Sequence, residues 1–247
     1  AFSPWIDYPL TIKDGTGSLS INLEFENGKL KEGGSSFSVQ NLNANTIDNP
    51  KQGLVFKDIS GEFEYKLVND DINIILDNLF LTTNSKLQFE DSAASIKYNF
   101  ETNQINKATL VVDRFDLGSV KEISNQFLPE EHRVNVIINE LQARGEIDDL
   151  KLKWDRTGDE EEPNLKLKAK FLELEINEFE SFPGLKNITG EVNIENEKGI
   201  IRSVSRDVKI TKEDVFRAPL QLNQFSGSVN WDNQKYSFNN VTVKDDY

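Results

Sequence analysis

Few side chains of this 247-residue chain could carry out acid–base, nucleophilic or metal chemistry. It contains no cysteine and a single histidine, His132. Thiolate nucleophiles, disulfides and multi-histidine metal sites are therefore excluded. His132 follows a predicted helix in the segment PEEHR, which favours a position on the surface. We expect no catalytic activity, no metal site and no cofactor.

The densest group of carboxylates is the run DEEE, Asp159–Glu162. Such a run could bind a hard cation, but it lacks the spaced ligands and the central glycine of a calcium loop. We interpret it as a solvated loop. No other spacing of carboxylates singles out an acid–base pair, and no glycine loop of the phosphate-binding kind is present.

The charge balance argues against nucleic acid as a partner. Acidic residues outnumber basic ones by 42 to 28, which gives a formal charge of −14. A surface of this sign repels nucleic acid and anionic headgroups. Without positive charge around them, Trp5, Trp154 and Trp231 are better interpreted as parts of an apolar face than as platforms for bases.

In the elements that must position any site, apolar and polar residues alternate with a period of two residues. In LKLKW, Leu150, Leu152 and Trp154 point one way, whereas Lys151 and Lys153 point the other. This alternation recurs along the chain and predicts about 14 to 18 half-buried antiparallel strands of about 5 to 10 residues each.

Turn-rich segments such as ENGK, VNDD, NEKG and WDNQK separate the apolar runs. Adjacent Phe171 and Leu172 reverse the phase of the alternation, which predicts a β-bulge or a bend there.

One segment has helical rather than alternating spacing. Ser119 and Glu122 form a capping-box pattern and Pro129 provides a stop, which predicts one short helix over Val120–Phe127. We expect its face of Val120, Ile123 and Phe127 to pack on the apolar side of the sheet as a plug or lid. The alternative is an outward-facing helix for partner contact. A second short turn is predicted at Thr211–Phe216.

The chain contains an internal repeat. LVFKDISGEFEY at Leu54–Tyr65 matches LQLNQFSGSVNW at Leu220–Trp231, and LDNLFL at Leu76–Leu81 matches FNNVTV at Phe238–Val243. The repeat predicts β modules over 9–84 and 182–247, separated by a β segment, 85–181, that carries the helix. We expect Gly61 and Gly227 to permit a bend or bulge.

The absence of methionine indicates a fragment of a longer protein, so any membrane anchor or targeting segment would lie outside this sequence.

Several motifs together resemble the YhdP-type proteins of the AsmA-like family. Asp116–Leu117 precedes a short helix that ends at Leu128–Pro129, and Gly145–Glu146 leads into the Leu150, Leu152, Trp154 alternation. FPGLKNITGEV and APLQLNQFSGSVNW are similar to two further family motifs, in the same order. Asn187–Thr189 and Ala143–Arg144 depart mildly from the pattern. The motifs span roughly the C-terminal half of the chain.

The resemblance implies a bridge-like lipid transfer protein of Gram-negative bacteria. Such proteins are anchored in the inner membrane and cross the periplasm as a long β-groove that conducts phospholipid toward the outer membrane. It implies that residues 1–247 form one elongated, curved antiparallel sheet with an open apolar groove. The partners would be phospholipid acyl chains, membranes reached through segments outside this chain, and further envelope proteins.

A lipid path along such a groove would follow inward positions of the alternation in different strands. The candidates are Ile21, Phe63, Ile74, Leu110, Leu152, Leu167, Val192 and Val229. Two alternatives remain open. Alternating strands are also typical of the closed core of a sandwich or barrel, and a repeated β scaffold could instead bind a partner's strand or helix.

Overall fold

The protein is a single sheet of long antiparallel strands. A computed structural model describes residues 10–46, 53–83, 88–102, 104–127, 133–156, 163–180, 183–233 and 235–245. Twelve strands pair strictly in chain order, each with the next. They are β1 Leu10–Glu26, β2 Lys29–Thr46, β3 Gly53–Val68, β4 Asp71–Thr83, β5 Gln88–Asn99, β6 Gln104–Asp116, β7 Arg144–Asp155, β8 Asn164–Ile176, β9 Gly184–Glu195, β10 Lys198–Thr211, β11 Leu220–Asp232 and β12 Lys235–Lys244.

The predicted class, a mostly β protein with one open antiparallel sheet, is confirmed. In this order β1 and β12 form the two ends, and the sheet does not close on itself. At about 4.8 Å per strand, the sheet extends for roughly 50 Å.

The predicted strand count and length are wrong. The described strands run from 10 residues in β12 to 18 in β2. Two apolar runs that sequence analysis counted separately belong to one strand, because the chain passes through a bulge without leaving the sheet.

The bulges are marked by residues in the left-handed backbone region. They are Asn41, Asn78, Asp149, Glu173, Asn187, Asp207 and Asn240, with φ between 48° and 60°. Most are Asn or Asp, whose short polar side chains tolerate this conformation best after glycine. Each such residue shifts the alternation by one position, so that apolar residues on both sides of it stay on the same face.

The bulge predicted at Phe171–Leu172 is confirmed. The β8–β9 register is irregular between Phe171 and Leu174, and Glu173 has φ 48°. Phe171 and Leu174 consequently belong to the same apolar cluster.

Gly61 and Gly227 also lie opposite bulges, as predicted. The register of β3 with β4 shifts at Gly61, and that of β11 with β12 shifts at Gly227. The facing residues are Asn78 and Asn240, which occupy the same place in the two copies of the repeat. A Cβ on Gly227 would lie 3.2 Å from the Val241 backbone, so glycine leaves room for the bulge.

Two short helices, α1 (Leu117–Phe127) and α2 (Arg133–Leu141), connect β6 to β7. The helix predicted from Val120 is confirmed but begins at Leu117. Its predicted capping box is wrong, because Asp116 caps the helix. Asp116 Oδ1 accepts hydrogen bonds from the Ser119 amide at 3.0 Å and the Ser119 hydroxyl at 3.2 Å.

The second helix was not predicted, so the expectation of one helix is wrong. Its apolar residues include Val136, Ile137 and Ile138, which are β-branched and more typical of strands. The turn predicted near Thr211–Phe216 is confirmed, since the Phe216 amide donates to the Lys212 carbonyl at 2.8 Å.

The strand ends form two different rims. At the turn rim, β1–β2, β3–β4, β9–β10 and β11–β12 are joined by two-residue turns. Each of these turns contains an asparagine at φ 53–56°, namely Asn27, Asn69, Asn196 and Asn233. At the loop rim the connections are longer and include α1 and α2, residues 177–183 and residues 212–219.

Candidate binding face

One row of side chains crosses all twelve strands through unbroken pairing. Residues paired directly across an antiparallel ladder point to the same side of the sheet. The row consists of Ile21, Ser35, Phe63, Leu76, Ala94, Leu110, Leu152, Leu167, Ile194, Gly199, Trp231 and Tyr236. It contains no charged residue. We call the side that carries it the apolar face.

The adjacent row points to the opposite side and has the opposite character. It consists of Asn22, Gly34, Glu64, Ile75, Ser95, Thr109, Lys153, Lys166, Glu195, Lys198, Asp232 and Lys235. More than half of these residues are charged, and Ile75 is the sole large apolar side chain among them. We call this side the charged face.

Ion pairs join neighbouring strands across the charged face. Lys166 Nζ lies 2.6 Å from Glu195 Oε1, and Lys198 Nζ lies 3.1 Å from Asp232 Oδ2. Exposed pairs of this kind stabilise a fold by about 1 kcal/mol at most. The charged side chains of this face remain exposed to water.

All eight residues proposed from sequence as a lipid path lie on the apolar face. Five belong to the row itself. The other three, Ile74, Val192 and Val229, each lie two positions along the strand from a member of the row and therefore point to the same side. Their cross-strand partners on this face are Tyr65, Ala169 and Ile201. None of the eight is fully buried, and Ile21 is 52% exposed. Their contact with lipid stays a prediction.

Aromatic rings on this face lie directly opposite glycines. The pairs are Phe37–Gly61, Tyr65–Gly33, Phe171–Gly190 and Trp231–Gly199. A Cβ on Gly33 would lie 2.7 Å from the Tyr65 ring, and one on Gly199 would overlap the Trp231 ring. Each ring therefore occupies the space above a neighbouring strand's backbone. This ring-over-glycine packing could not be predicted from the sequence, because the packing depends on which strands pair.

Burial on the apolar face increases towards the loop rim. One cluster is built on Phe56 and Leu81. A second contains Phe171, Ile188, Val208 and Leu222, and Val208 is 1% exposed. The loop-rim side is thus closed by packing, while the turn-rim side is open.

The helix residues proposed as a lid are described only in part. Val120 is half-buried, whereas the side chains of Ile123 and Phe127 lie outside the described residues. Two polar contacts join α1 and α2: Ser124 Oγ donates to Asn135 Oδ1 at 3.1 Å, and Asn139 Nδ2 donates to Asn125 Oδ1 at 2.9 Å. A lid role for α1 stays a prediction.

One hollow in the described part of the chain is not over the apolar face. A cavity of 930 Å³ lies against the first six strands, lined mainly by charged-face residues such as Glu32, Glu64, Lys66 and Lys97. A strongly twisted sheet is concave along one diagonal on each side, so a hollow on either face is expected.

The two buried serines of β10 are structural. Ser205 Oγ accepts a hydrogen bond from the Thr189 amide at 3.0 Å, and Ser203 Oγ donates to the Thr189 carbonyl at 2.9 Å. These bonds bridge β9 and β10 where the ladder is interrupted between Ser203 and Lys209. They satisfy backbone groups and do not activate a nucleophile.

A carboxylate–lysine cluster ties two loop-rim connections together. Lys212 Nζ contacts Glu178 Oε1 at 2.6 Å and Asp214 Oδ1 at 3.1 Å, and the Glu213 amide donates to Glu178 Oε2 at 3.1 Å. The Lys212 ammonium, followed by the Glu213 amide, lowers the pKa of Glu178. Glu178 is therefore held as a charged structural anchor and not as a general acid.

Groups that could hold a metal are not found in the described ranges, where no three His, Cys, Asp or Glu side chains converge. His132, Asp159–Glu162 and Trp5 lie outside those ranges. Neither α1 nor α2, the two helices that the structure describes, is long and apolar enough to span a bilayer.

The fold and this site define an open, single-layer β-meander with an apolar face and a charged face. The chain belongs to the YhdP protein family, whose model matches residues 1–246. The resemblance inferred from the sequence motifs is thereby confirmed over the whole chain. Neither the curated proteins nor the solved structures contain a significant match.

Proposed function

We propose that this chain is a lipid-binding segment of a bridge-like protein that conducts phospholipids across the periplasm between the inner and outer membranes. The observation that carries the proposal is the row through all twelve strands without a charge, in a chain of the YhdP family. The apolar face would form the floor of the groove, with Ile21, Phe63, Ile74, Leu110, Leu152, Leu167, Val192 and Val229 in contact with acyl chains.

The energetics favour an apolar ligand on this face. Burying one CH₂ group contributes about 0.8 kcal/mol, so an acyl chain of about 16 carbons could contribute on the order of 10 kcal/mol before entropy costs. This gain needs no specific polar recognition. A conventional polar site is therefore not required for this binding.

The remaining parts of the proposal follow from the same arrangement. The repeat, with its glycine–asparagine bulges at Gly61–Asn78 and Gly227–Asn240, lets modules extend one continuous floor. The helix α1 acts as a plug or lid at the loop rim through its face of Val120, Ile123 and Phe127. An inner-membrane anchor is supplied by sequence outside this chain, and no catalytic step is involved.

Mass spectrometry of lipid extracted from the purified chain tests this function. We expect phospholipid in stoichiometric amounts relative to the chain. It should remain bound through gel filtration because its acyl chains are shielded from water. A chain that purifies without lipid, and that takes up none from phospholipid vesicles, would instead support the scaffold alternative.

A further inference from the structure

The tyrosine and tryptophan side chains of the described chain all lie along one edge of the apolar face. They are Tyr65, Tyr98, Trp154, Trp231 and Tyr236. Each lies within four residues of the strand end that borders the turn rim. Their pairs with Ile74, Ile72, Leu165, Gly199 and Trp231 place them on the apolar face.

The phenylalanines do not share this distribution. Phe25 lies at the turn rim, Phe37 in the middle of β2, and Phe56 and Phe115 at the loop rim. Phenylalanine has no polar atom, whereas tyrosine and tryptophan combine a large apolar body with a hydrogen-bonding group. Rings of the second kind prefer a boundary between hydrocarbon and water.

Solvent exposure of the inner strands also differs between the two rims. Near the turn rim Ile96 in β5 is 38% exposed and Leu165 in β8 is 36% exposed, whereas Phe56, Leu81 and Val208 towards the loop rim are buried. A ligand on this face can therefore reach water at the turn rim, while the loop-rim side offers it a surface already closed by packing.

A cation lies at the level of this boundary. The Arg156 guanidinium lies 5.9 Å from the centre of the Trp154 ring, immediately beyond the end of β7. The backbone that carries it is anchored to β6, since the Arg156 amide donates to the Asn106 carbonyl at 2.8 Å. Guanidinium groups are well suited to phosphate oxygens.

We propose that phospholipids lie across the strands in one orientation, with phosphate headgroups at the turn rim and acyl chains directed towards the loop rim. The belt of Tyr98, Trp154, Trp231 and Tyr236 marks the level of the headgroup and glycerol region, whereas the Tyr65 hydroxyl is buried away from water. This inference rests on the proposed function. It adds the orientation of the bound phospholipid, which an apolar face alone does not determine.

Fluorescence quenching by spin-labelled phosphatidylcholine tests the orientation. One probe carries the nitroxide on the headgroup and the other near the end of an acyl chain. The first reporter protein keeps Trp154 and Trp231 and carries Trp5→Phe. The second replaces all three tryptophans with phenylalanine and carries Phe115→Trp at the loop rim, with Phe89→Trp as an independent second version.

We expect a headgroup-to-chain quenching ratio above one for Trp154 and Trp231, and below one for the loop-rim reporters. The amount of each probe bound per chain is measured by mass spectrometry on the same samples. Equal ratios at both rims, or the reverse order, with probe bound would overturn the orientation and leave the proposed function standing. Absence of bound probe in every protein would overturn both.

Discussion

The substitution Leu152→Arg distinguishes a lipid path on an open face from an ordinary closed core. Leu152 lies near the middle of the row on the apolar face, between Leu110 and Leu167, and it is half-buried. An arginine there would place a charge directly across the proposed path. In an open face its guanidinium can still reach water, because the aliphatic stem covers the floor while the head extends outward.

The magnitude follows from the burial. Full burial of a leucine contributes about 1.5–3 kcal/mol, so a half-buried leucine contributes about 1 kcal/mol, part of which the arginine stem restores. For a chain of this size, 1 kcal/mol corresponds to about 2–4 °C in the melting temperature. We therefore expect Leu152→Arg to lower the melting temperature by only a few degrees.

Val112→Arg provides the matched control. Val112 lies on the same face, one strand away, and is 3% exposed. A charge buried there without a partner should cost about 4 kcal/mol or more, which would unfold the chain or lower its melting temperature by about 10 °C.

Thermal unfolding by circular dichroism and bound phospholipid per chain are the two measurements. We expect Leu152→Arg to lose lipid while remaining folded, and Val112→Arg to lose its fold. If Leu152→Arg unfolded to the same extent as Val112→Arg, Leu152 would belong to a closed core and the reasoning would be refuted. Normal lipid content in a folded Leu152→Arg would refute the path.

Three further perturbations test the fold and its charges. Gly199→Val should destabilise the chain by about 1–3 kcal/mol and change its tryptophan fluorescence, because the new side chain overlaps the Trp231 ring; unchanged fluorescence would contradict the ring-over-glycine packing. Asn78→Val should cost about 1–2 kcal/mol in urea unfolding while Asn78→Gly costs little, since φ is 51°, and equal losses would argue against the bulge. The pKa of Glu178 is lowered in the fold by Lys212, so the contribution of Glu178 to stability is complete above the unfolded pKa of about 4.3 and is lost as the pH falls through the lower folded value. The stability difference between the wild type and Glu178→Gln should therefore shrink on acidification, and a constant difference would contradict the pairing.

Within an uninterrupted alternating run, the face of each side chain could be predicted from sequence because it depends on local geometry alone. A strand alternates its side chains whatever lies next to it, so Leu152 and Lys153 had to point in opposite directions. The turns at Asn27, Asn69 and Asn196 were likewise predictable, since asparagine and glycine tolerate the backbone that tight hairpins need.

The length of the strands could not be predicted in this way. Asn187 and Asp207 resemble loop residues in the sequence, yet each occupies a bulge inside a strand. Deciding between a loop and a bulge requires knowledge of the partner strand. The helix α2 was missed because its β-branched residues suit a strand, and tertiary contacts override that preference.

The belt at the turn rim has a signal in the sequence. Trp154 and Trp231 each precede an aspartate at the end of an apolar alternation, directly before a polar connection. Their shared rim became evident only with the strand pairing, because neighbouring antiparallel strands bring every second connection to the same edge.

Site-specific photo-crosslinking tests the central claim most directly. A photoreactive residue is placed at Leu152 or Val229 on the apolar face, and at Lys153 or Asn230, their sequence neighbours on the charged face. We predict that phospholipid is captured from the first pair and not from the second. Equal capture from both faces, or capture from the charged face alone, would contradict the claim that the apolar face binds lipid.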